Sequence, residues 1–255
     1  MTTLVTFGCS WTWGKCSFYD HSMSREEYLK QFRTPWGIDP YPERYSFRSI
    51  LAKKYNLKVL NFARGGSSNQ KQFRYATHFF NLPIKEKMIV LWGITSTARD
   101  EMWLNDEGKW SNCLYGNAKD RFSDYSRMVV ERYYDHEVEV YKLNEQMKHW
   151  NTFFNHLGIK NVWFDTLNHH NYTDRVPNLC WRHQPNRDLL SRLCMMHGPR
   201  YIGDDFHHSV HTDDCDRIRF LLKKKKVNPY TFHPTSDAHR DLAKLLDPYV
   251  KSMLD

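Results

Sequence analysis

The sequence predicts an α/β fold built on a short parallel sheet, and three observations lead to that prediction. Short, nearly continuous apolar runs, rich in β-branched or aromatic residues, recur at four places along the chain. Strands buried on both faces of a parallel sheet have this character. Amphipathic helical stripes separate the runs, which gives the order β-α-β-α-β-α-β-α. Right-handed crossovers between such units place helices on both faces, as a three-layer α/β/α sandwich.

Each predicted strand is followed by residues that break or redirect the chain. Gly8 follows the first run, Gly93 follows the third, Asp165 follows the fourth, and a glycine pair comes shortly after the second. In open parallel sheets, ligands bind beyond the carboxyl ends of the strands, so these junctions are where a site is expected. The four predicted strands are residues 4–7, 58–62, 88–92 and 161–164.

Three amphipathic stripes predict helices that cover the sheet. Apolar residues spaced four and three apart over 143–157 predict a helix that Gly158 ends as a C-cap. A similar stripe over 242–253 predicts the last helix, for which Thr235 or Ser236 is the expected N-cap. The stripe between the first two strands consists of Phe47, Ile50, Leu51 and Tyr55.

Two stretches, residues 15–45 and 165–232, fit no repeat of the strand-helix unit. The first contains three prolines and many aromatic residues, and the second is polar and rich in His and Asp. The chain has no internal repeat and no low-complexity linker, and its 255 residues suit one domain with insertions. We therefore expect a single domain over 1–255, with a loop insertion near 15–45 and a larger one near 165–232.

The composition argues against several classes of protein. A chain with 26% charged and 40% hydrophobic residues is globular rather than disordered. It has no run of 18 apolar residues, and its first residues have no basic flank, so we expect neither a membrane span nor a secretory signal. Six cysteines in 255 residues are too sparse for a disulfide framework. We expect reduced thiols and a cytoplasmic location.

Small and polar residues follow the first three predicted strands, and a histidine precedes the last helix. Ser10 stands just after the first strand, residues 61–69 carry the glycine pair Gly65 and Gly66, and Thr95 follows the third strand. His233 lies near the end of the chain. A hydroxyl, preorganised donors and a base are what nucleophilic acyl transfer requires.

These blocks resemble the SGNH (GDSL-type) hydrolase superfamily, in particular SGNH-like proteins of tailed bacteriophages, and occur in the family's order. The resemblance implies a flavodoxin-like sandwich in which Ser10 is the nucleophile and His233 is the base. It also implies an oxyanion hole made by the backbone N–H groups of Ser10 and Gly66 together with Thr95. The blocks are Phe7-Gly8-Cys9-Ser10, residues 61–69, Leu91-Trp92-Gly93-Ile94-Thr95 and His233-Pro234.

Two residues depart from the pattern of that family. Thr95 stands where the family has an oxyanion-hole Asn, so a hydroxyl replaces the amide donor, and Asn69 is another candidate. Tyr230 stands where the family has an Asp three residues before the histidine. Either a Ser–His dyad suffices, or a carboxylate in the late insertion orients His233. The candidate carboxylates are Asp204, Asp205, Asp213 and Asp214.

Other polar and aromatic residues are candidates for substrate contact. Trp11, Trp13 and Asn69 lie in the loops after the first two strands, and His169 follows the fourth.

Residues 223–226 are four consecutive lysines. We predict a solvated loop there, with contact to nucleic acid or an acidic glycan as the alternative.

Two groups of cysteines and histidines raise the question of a metal site. Cys180 and His183, with Cys194 and His197, have a spacing like that of a zinc finger. A helix predicted between the pairs would place His183 about 15 Å from Cys194, too far to share one ion. A second group within residues 204–216 matches no metal motif. We therefore expect no metal and no cofactor.

The prediction for function is a serine esterase of SGNH type that hydrolyses acyl esters, with carbohydrate esters as one substrate class. The first alternative is a catalytically reduced SGNH-like binding or structural protein of phage origin. The second is a nucleic-acid or metal-dependent activity, which the net charge of +8 permits without requiring it. The expected partner is a small-molecule or glycan ester, not a membrane or nucleic acid, and no oligomeric state is predicted. A phage protein would act in the host cytoplasm or with the virion.

Overall fold

A computed structural model describes residues 1–32, 42–83, 86–104, 107–115, 123–167, 176–184, 188–198 and 216–255. Four of its strands form a parallel sheet in the order β2-β1-β3-β6, and the other two form an antiparallel hairpin. The strands are β1 (Thr3–Phe7), β2 (Lys58–Asn61), β3 (Met88–Ile94), β4 (Arg99–Leu104), β5 (Lys109–Leu114) and β6 (Lys160–Asp165).

The four predicted strands are confirmed as the four members of the parallel sheet. β1 and β3 lie in its centre and are buried along their whole length. Their pleat sends alternate side chains to opposite faces. Leu4 and Leu91 join one hydrophobic cluster, whereas Val5 and Trp92 join the other. The protein is therefore an α/β structure whose sheet is flanked by helices on both faces.

The helices that pack on the sheet divide between those two faces. One cluster contains residues of α4, α8, α9 and α10, and the other contains residues of α5 and α7. The helices are α1 (Ser10–Trp13), α2 (Arg25–Phe32), α3 (Pro42–Tyr45), α4 (Phe47–Lys54), α5 (Asn69–Phe80), α6 (Ser123–Arg132), α7 (His136–His156), α8 (Leu189–His197), α9 (Asp216–Lys223) and α10 (Ser236–Leu254).

The three helices predicted from amphipathic stripes are present as α4, α7 and α10. Thr235 is the N-cap of α10, and its Oγ1 accepts a hydrogen bond from the Ala238 N–H at 3.3 Å. Gly158 has a φ of +66° immediately after the Leu157 C-cap of α7. This left-handed conformation favours glycine and explains why the helix ends there.

Residues 165–232 contribute to the core as well as to loops. Leu189 and Leu193 of α8 and Ile218 of α9 are fully buried against α10. A buried ion pair connects the two shorter helices, because Arg217 Nη1 lies 3.1 Å from an oxygen of Asp188. The helix predicted between the two Cys–His pairs is present as α8, whereas the charged composition of the stretch conceals α9 in the sequence.

The prediction of a solvated lysine loop is wrong for one of its four lysines. Residues 223–225 are exposed, but Lys226 is buried and donates hydrogen bonds to Asp237 and, at 2.7 Å, to Asp241. Asp241 also lies 2.9 Å from the Nε2 of His197. This network connects α8, the end of α9 and α10, because a buried cation needs paired carboxylates.

Two further findings concern the membrane and the cysteines. None of the described helices is long and apolar enough to cross a bilayer. None of the described cysteines forms a disulfide, and all five are buried. Burial, followed by the nearby Asp165 carboxylate, raises the pKa of the Cys180 thiol well above its ordinary value.

Candidate active site

The turn after β1 is shaped by two glycines that leave room for Thr12. Gly8 has a φ of +144°, and a Cβ there would lie 2.4 Å from Thr12 Oγ1. A Cβ on Gly93, at the end of β3, would lie 2.2 Å from the same oxygen. Only glycine fits either position, because real side chains do not approach so closely. The turn therefore packs tightly against the neighbouring strand and places Ser10 as the first residue of α1.

Ser10 and His233 form a hydrogen-bonded pair although 223 residues separate them. The Oγ of Ser10 lies 2.8 Å from the Nε2 of His233. The other ring nitrogen, Nδ1, lies 2.6 Å from the main-chain oxygen of Thr231. A carbonyl oxygen only accepts, so Nδ1 carries the proton and Nε2 is left as an acceptor for the Ser10 hydroxyl. The predicted nucleophile and base therefore meet in the geometry that proton transfer requires.

The turn that carries His233 is closed by its own backbone. Asn228 N–H donates to the His233 carbonyl at 2.8 Å, and Phe232 N–H donates to the Asn228 carbonyl at 2.8 Å. Phe232 has a φ of +56°, a conformation that a bulky residue rarely adopts. Contacts from the loop after α1 support the turn, since Cys16 Sγ lies 3.1 Å from Thr231 Oγ1. The imidazole is thus oriented by a strained turn that packs against the loop after α1.

Tyr230, three residues before His233, lies in an aromatic cluster. The Tyr230 ring stacks on Tyr28 with centroids 5.7 Å apart and meets Tyr19 edge-on at 6.1 Å. The Arg25 guanidinium lies 6.0 Å from the centre of the same ring. No carboxylate of the described residues bonds to His233. Asp204, Asp205, Asp213 and Asp214, the four candidates from the late insertion, lie outside the described residues.

The electrostatic surroundings of His233 keep the imidazole neutral. Its pKa falls to about 3 from an ordinary 6.5, because burial and the nearby Lys15 and Arg99 cations disfavour the charged ring. The hydrogen bond to the Thr231 carbonyl acts in the opposite direction. A neutral imidazole can accept the Ser10 proton over the whole physiological range, but the imidazolium formed by that transfer gains little stabilisation.

The loop after β2 is tied directly to the nucleophile turn. Arg64 N–H donates to the Gly8 carbonyl at 3.1 Å, and the Gly8 N–H donates to Gln72 Oε1 at 2.9 Å. Gln72 in turn donates to Ser67 Oγ. Gly66 is exposed and has a φ of +67°, so the loop turns at the glycine predicted for the oxyanion hole.

Asn69 and Thr95 hold the second and third loops together. The Asn69 side chain accepts from the Thr95 N–H at 3.0 Å and donates to the Thr95 carbonyl at 2.9 Å. Both residues are buried. Asn69 therefore positions the loop that carries Thr95, and this pairing engages both the oxygen and the nitrogen of its amide.

The remaining residues predicted for substrate contact have different locations. Trp11 is 1% exposed and belongs to the core, so its ring has no surface to offer a ligand. Trp13 is half-buried and lies beside Gly65. A Cβ added to Gly65 would lie 3.6 Å from the Trp13 ring. His169 lies outside the described residues.

The zinc-finger-like spacing does not produce a metal site among the residues that the structure describes, where no group of His, Cys, Asp and Glu is arranged to hold an ion. Cys180 and Cys194 are buried in the core, and His197 pairs with Asp241. The group within residues 204–216 is described only at Asp216, whose Oδ1 accepts a hydrogen bond from Arg219 at 2.8 Å.

Sequence reasoning missed several groups that shape this site. The Thr231 carbonyl, Gln72, Lys15 and Arg99 all act on the Ser10 or His233 surroundings. A main-chain carbonyl leaves no signal in a sequence, and Gln72 is an ordinary polar residue of an amphipathic helix.

Comparison of the chain with protein-family models, with curated proteins and with solved structures gave no match.

Proposed function

We propose that this protein is a serine hydrolase of SGNH type that cleaves carboxylic esters. The observation that carries the proposal is the 2.8 Å contact between Ser10 Oγ and His233 Nε2, with the imidazole in the tautomer of a base. The two residues come from opposite ends of the chain. A serine on a tight strand-to-helix turn, facing the acceptor nitrogen of a histidine, is the arrangement of an activated nucleophile.

The position of the pair in the fold supports the SGNH type. The strand order β2-β1-β3-β6 and the helices on both faces agree with a flavodoxin-like three-layer sandwich. The three early sequence blocks span the ends of β1, β2 and β3, so all lie at the carboxyl edge of the sheet. Ligands of open parallel sheets bind at that edge. The resemblance seen in the sequence and this placement point to the same site.

In the proposed reaction, His233 Nε2 removes the Ser10 proton while Oγ attacks the ester carbonyl. The backbone N–H groups of Ser10 and Gly66 receive the oxyanion, with the Thr95 hydroxyl as the third donor that the resemblance implies. His233 then protonates the leaving alcohol, and an acyl group stays on Ser10. Water attacks this acyl-enzyme with His233 again as base, which releases the acid and restores the serine.

The group that accepts the hydrogen bond from His233 Nδ1 distinguishes this dyad from a complete triad, in which that group is a carboxylate. The Thr231 carbonyl fixes the tautomer of His233, which is one task of the usual carboxylate. It carries no full negative charge, so it stabilises the imidazolium less. We therefore expect slower turnover than a triad supports, and one missing oxyanion donor would cost a further factor of about 10²–10³.

A second function is favoured by the same electrostatics. A pKa of about 3 for His233 and the two nearby cations suit a site that binds an ester or an anion without turning it over. This is the catalytically reduced binding protein anticipated from the sequence.

Labelling and turnover test the proposal. Wild-type protein should react with a fluorophosphonate probe at Ser10, as located by peptide mass spectrometry, and should hydrolyse 4-nitrophenyl acetate. Ser10→Ala should lose both, and His233→Gln should lower kcat/KM by about 10²–10⁴-fold, the usual contribution of a general base. Absence of labelling in the folded wild type, or equal turnover by Ser10→Ala, would overturn the esterase and favour the binding protein.

A further inference from the structure

The first turn of α5 presents two buried amide side chains to the strand-end loops. Asn69 and Gln72 stand three positions apart, so they share one face of the helix. They are 3% and 1% exposed. Asn69 hydrogen-bonds to both main-chain groups of Thr95. Gln72 instead joins the turn that carries Ser10 to the loop that carries Gly66.

The oxygen and the nitrogen of the Gln72 amide bond to different loops. Oε1 accepts a hydrogen bond from the Gly8 N–H at 2.9 Å, and Nε2 donates to Ser67 Oγ. Gly8 and Ser67 are buried as well. Loss of this amide would therefore leave the Gly8 N–H without solvent to take its place, and an unpaired buried donor is unfavourable.

The bond to Gly8 matters because that residue directs the chain toward Ser10. Gly8 has a φ of +144°, a conformation that only glycine adopts readily. Since glycine has no side chain of its own, its path depends on contacts made by other residues. Thr12 packs against Gly8, and Gln72 holds its N–H. These two contacts together fix where Ser10 begins α1, two residues later.

The exposed glycine pair of the loop after β2 is held at its two flanks. Before the pair, the Arg64 N–H donates to the Gly8 carbonyl at 3.1 Å. After the pair, Ser67 is buried and its Oγ receives the hydrogen bond from Gln72. Because Gln72 is bonded to Gly8 as well, a single side chain fixes the distance between the turn and the loop.

We propose that Gln72 is a positioning residue that sets the spacing between the Ser10 turn and the Gly66 loop; this rests on the proposed esterase function. In that reaction the N–H groups of Ser10 and Gly66 converge on a single oxygen, each within about 2.7–3.1 Å of it. Gln72 acts on the turn through Gly8, two residues before Ser10. It acts on the loop through Ser67, which directly follows Gly66. A displacement of about 1 Å in such a site lowers the rate by as much as about a hundredfold.

Turnover by two matched variants tests this role. Gln72→Leu removes the amide that joins the loops, whereas Asn151→Leu removes a 5% exposed amide that accepts from Asn178 at 3.1 Å. Gln72→Leu should lower kcat for 4-nitrophenyl acetate about ten- to a hundredfold and leave KM nearly unchanged, because acylation and deacylation both pass through an oxyanion. Asn151→Leu should lower stability toward urea but keep the wild-type kcat. A wild-type kcat in Gln72→Leu, or an equal loss in Asn151→Leu, overturns the proposal.

A conservative variant distinguishes positioning from stability alone. In Gln72→Glu the carboxylate can accept from the Gly8 N–H and from the Ser67 hydroxyl, so both loop contacts persist. Most of the wild-type kcat should return, although the buried charge lowers stability. A kcat as low as that of Gln72→Leu overturns the positioning role. If Gln72→Glu does not fold, Gln72→Leu is compared in the wild-type and Ser67→Ala backgrounds. Its loss of kcat should be smaller in Ser67→Ala, and equal losses overturn the proposal.

Amide hydrogen exchange, followed by NMR, separates this proposal from the esterase function. Gln72→Leu should speed the exchange of the Gly8 and Ser67 N–H groups by about tenfold, in line with the loss of one hydrogen bond. The Thr95 N–H, which Asn69 holds, should exchange as in the wild type. If the wild type neither labels nor hydrolyses but this pattern is found, the esterase fails and Gln72 still sets the spacing of the loops. If Gly8 and Ser67 exchange as in the wild type, the positioning role fails whatever the esterase result.

Discussion

The Ser10 turn and the His233 turn meet in one site but are built in different ways. The Ser10 turn continues a central strand and is fixed by close packing, since Thr12 fills the space left by Gly8 and Gly93. The His233 turn lies far from the sheet strands in sequence and is fixed by hydrogen bonds and by contacts with another loop. The difference teaches that the proposed nucleophile is fixed by close packing against a neighbouring strand, whereas its proposed base is fixed by hydrogen bonds and contacts between loops.

The largest expected effect comes from filling the space at the end of β3. In Gly93→Ala, the new Cβ would lie 2.2 Å from Thr12 Oγ1 and 2.9 Å from the Phe164 ring. Such overpacking costs about 1–3 kcal/mol in the free energy of unfolding, measured by urea denaturation. We also expect kcat/KM for 4-nitrophenyl acetate to fall, because Thr12 and Ser10 share one helical turn.

Gly158→Ala is the matched control for that substitution. Gly158 has a φ of +66°, but no atom lies within 4 Å of the position that a methyl group there would take, so the change is strained without a clash. It should cost about 1 kcal/mol and leave esterase turnover unchanged. If Gly93→Ala fails to fold, Gly93→Ala/Thr12→Ala should recover part of the stability. Equal stability of the two single variants would show that packing does not fix the Ser10 turn.

The pH dependence of turnover tests the electrostatics of the His233 turn. The reaction needs neutral His233, whose folded pKa is about 3, so kcat/KM should hold as pH falls through 6.5 and decline only toward pH 3. At pH 5 an ordinary imidazole of pKa 6.5 would already have lost about thirtyfold. Rates at each pH should be measured only where circular dichroism shows a folded protein.

The lowered pKa values of His233 and His239 also predict how the free energy of unfolding changes with pH. Below pH 6.5 the unfolded chain protonates His233 and His239, whereas the folded protein holds both pKa values near 3. The unfolded state therefore binds more protons, and the free energy of unfolding should fall as pH decreases from 6.5 toward 3.

For turnover, a decline of kcat/KM on the acid side with a midpoint near pH 6.5 or above would instead indicate that a carboxylate faces His233.

The smallest expected effect comes from loosening the loop contact behind His233. Thr231→Val removes the hydroxyl that lies 3.1 Å from Cys16 Sγ but keeps the carbonyl that accepts from Nδ1. We expect kcat to fall about two- to fivefold, in line with the loss of one hydrogen bond. Thr77→Val, which removes a hydroxyl that donates to the Phe73 carbonyl on α5, should leave kcat unchanged. If both variants keep full turnover, the Cys16 contact does not orient the base.

Periodicity in the sequence predicted the sheet and its main helices because both signals are local. Apolar runs marked all four parallel strands, and stripes marked α4, α7 and α10. The hairpin of β4 and β5 and helix α9 were missed, whereas a helix was predicted between the two Cys–His pairs, where α8 lies. The apolar residues of α9, such as Ile218, stand among many charged ones, and only packing in the tertiary structure makes them core.

For the site, the sequence by itself determined which residues are proposed to carry the chemistry: Ser10 on a strand-end turn, Gly66 in a glycine pair and His233 before the last helix. The tertiary structure decided which hydrogen-bond partners surround the site and which side chains are buried. In the folded protein the Thr231 carbonyl contacts Nδ1 of His233, and Trp11 is buried. Asn69 hydrogen-bonds to Thr95, and Lys226 forms an ion pair with Asp241. The physical reason is that hydrogen-bond partners and burial depend on which distant segments meet, and a local pattern of residues contains no record of that.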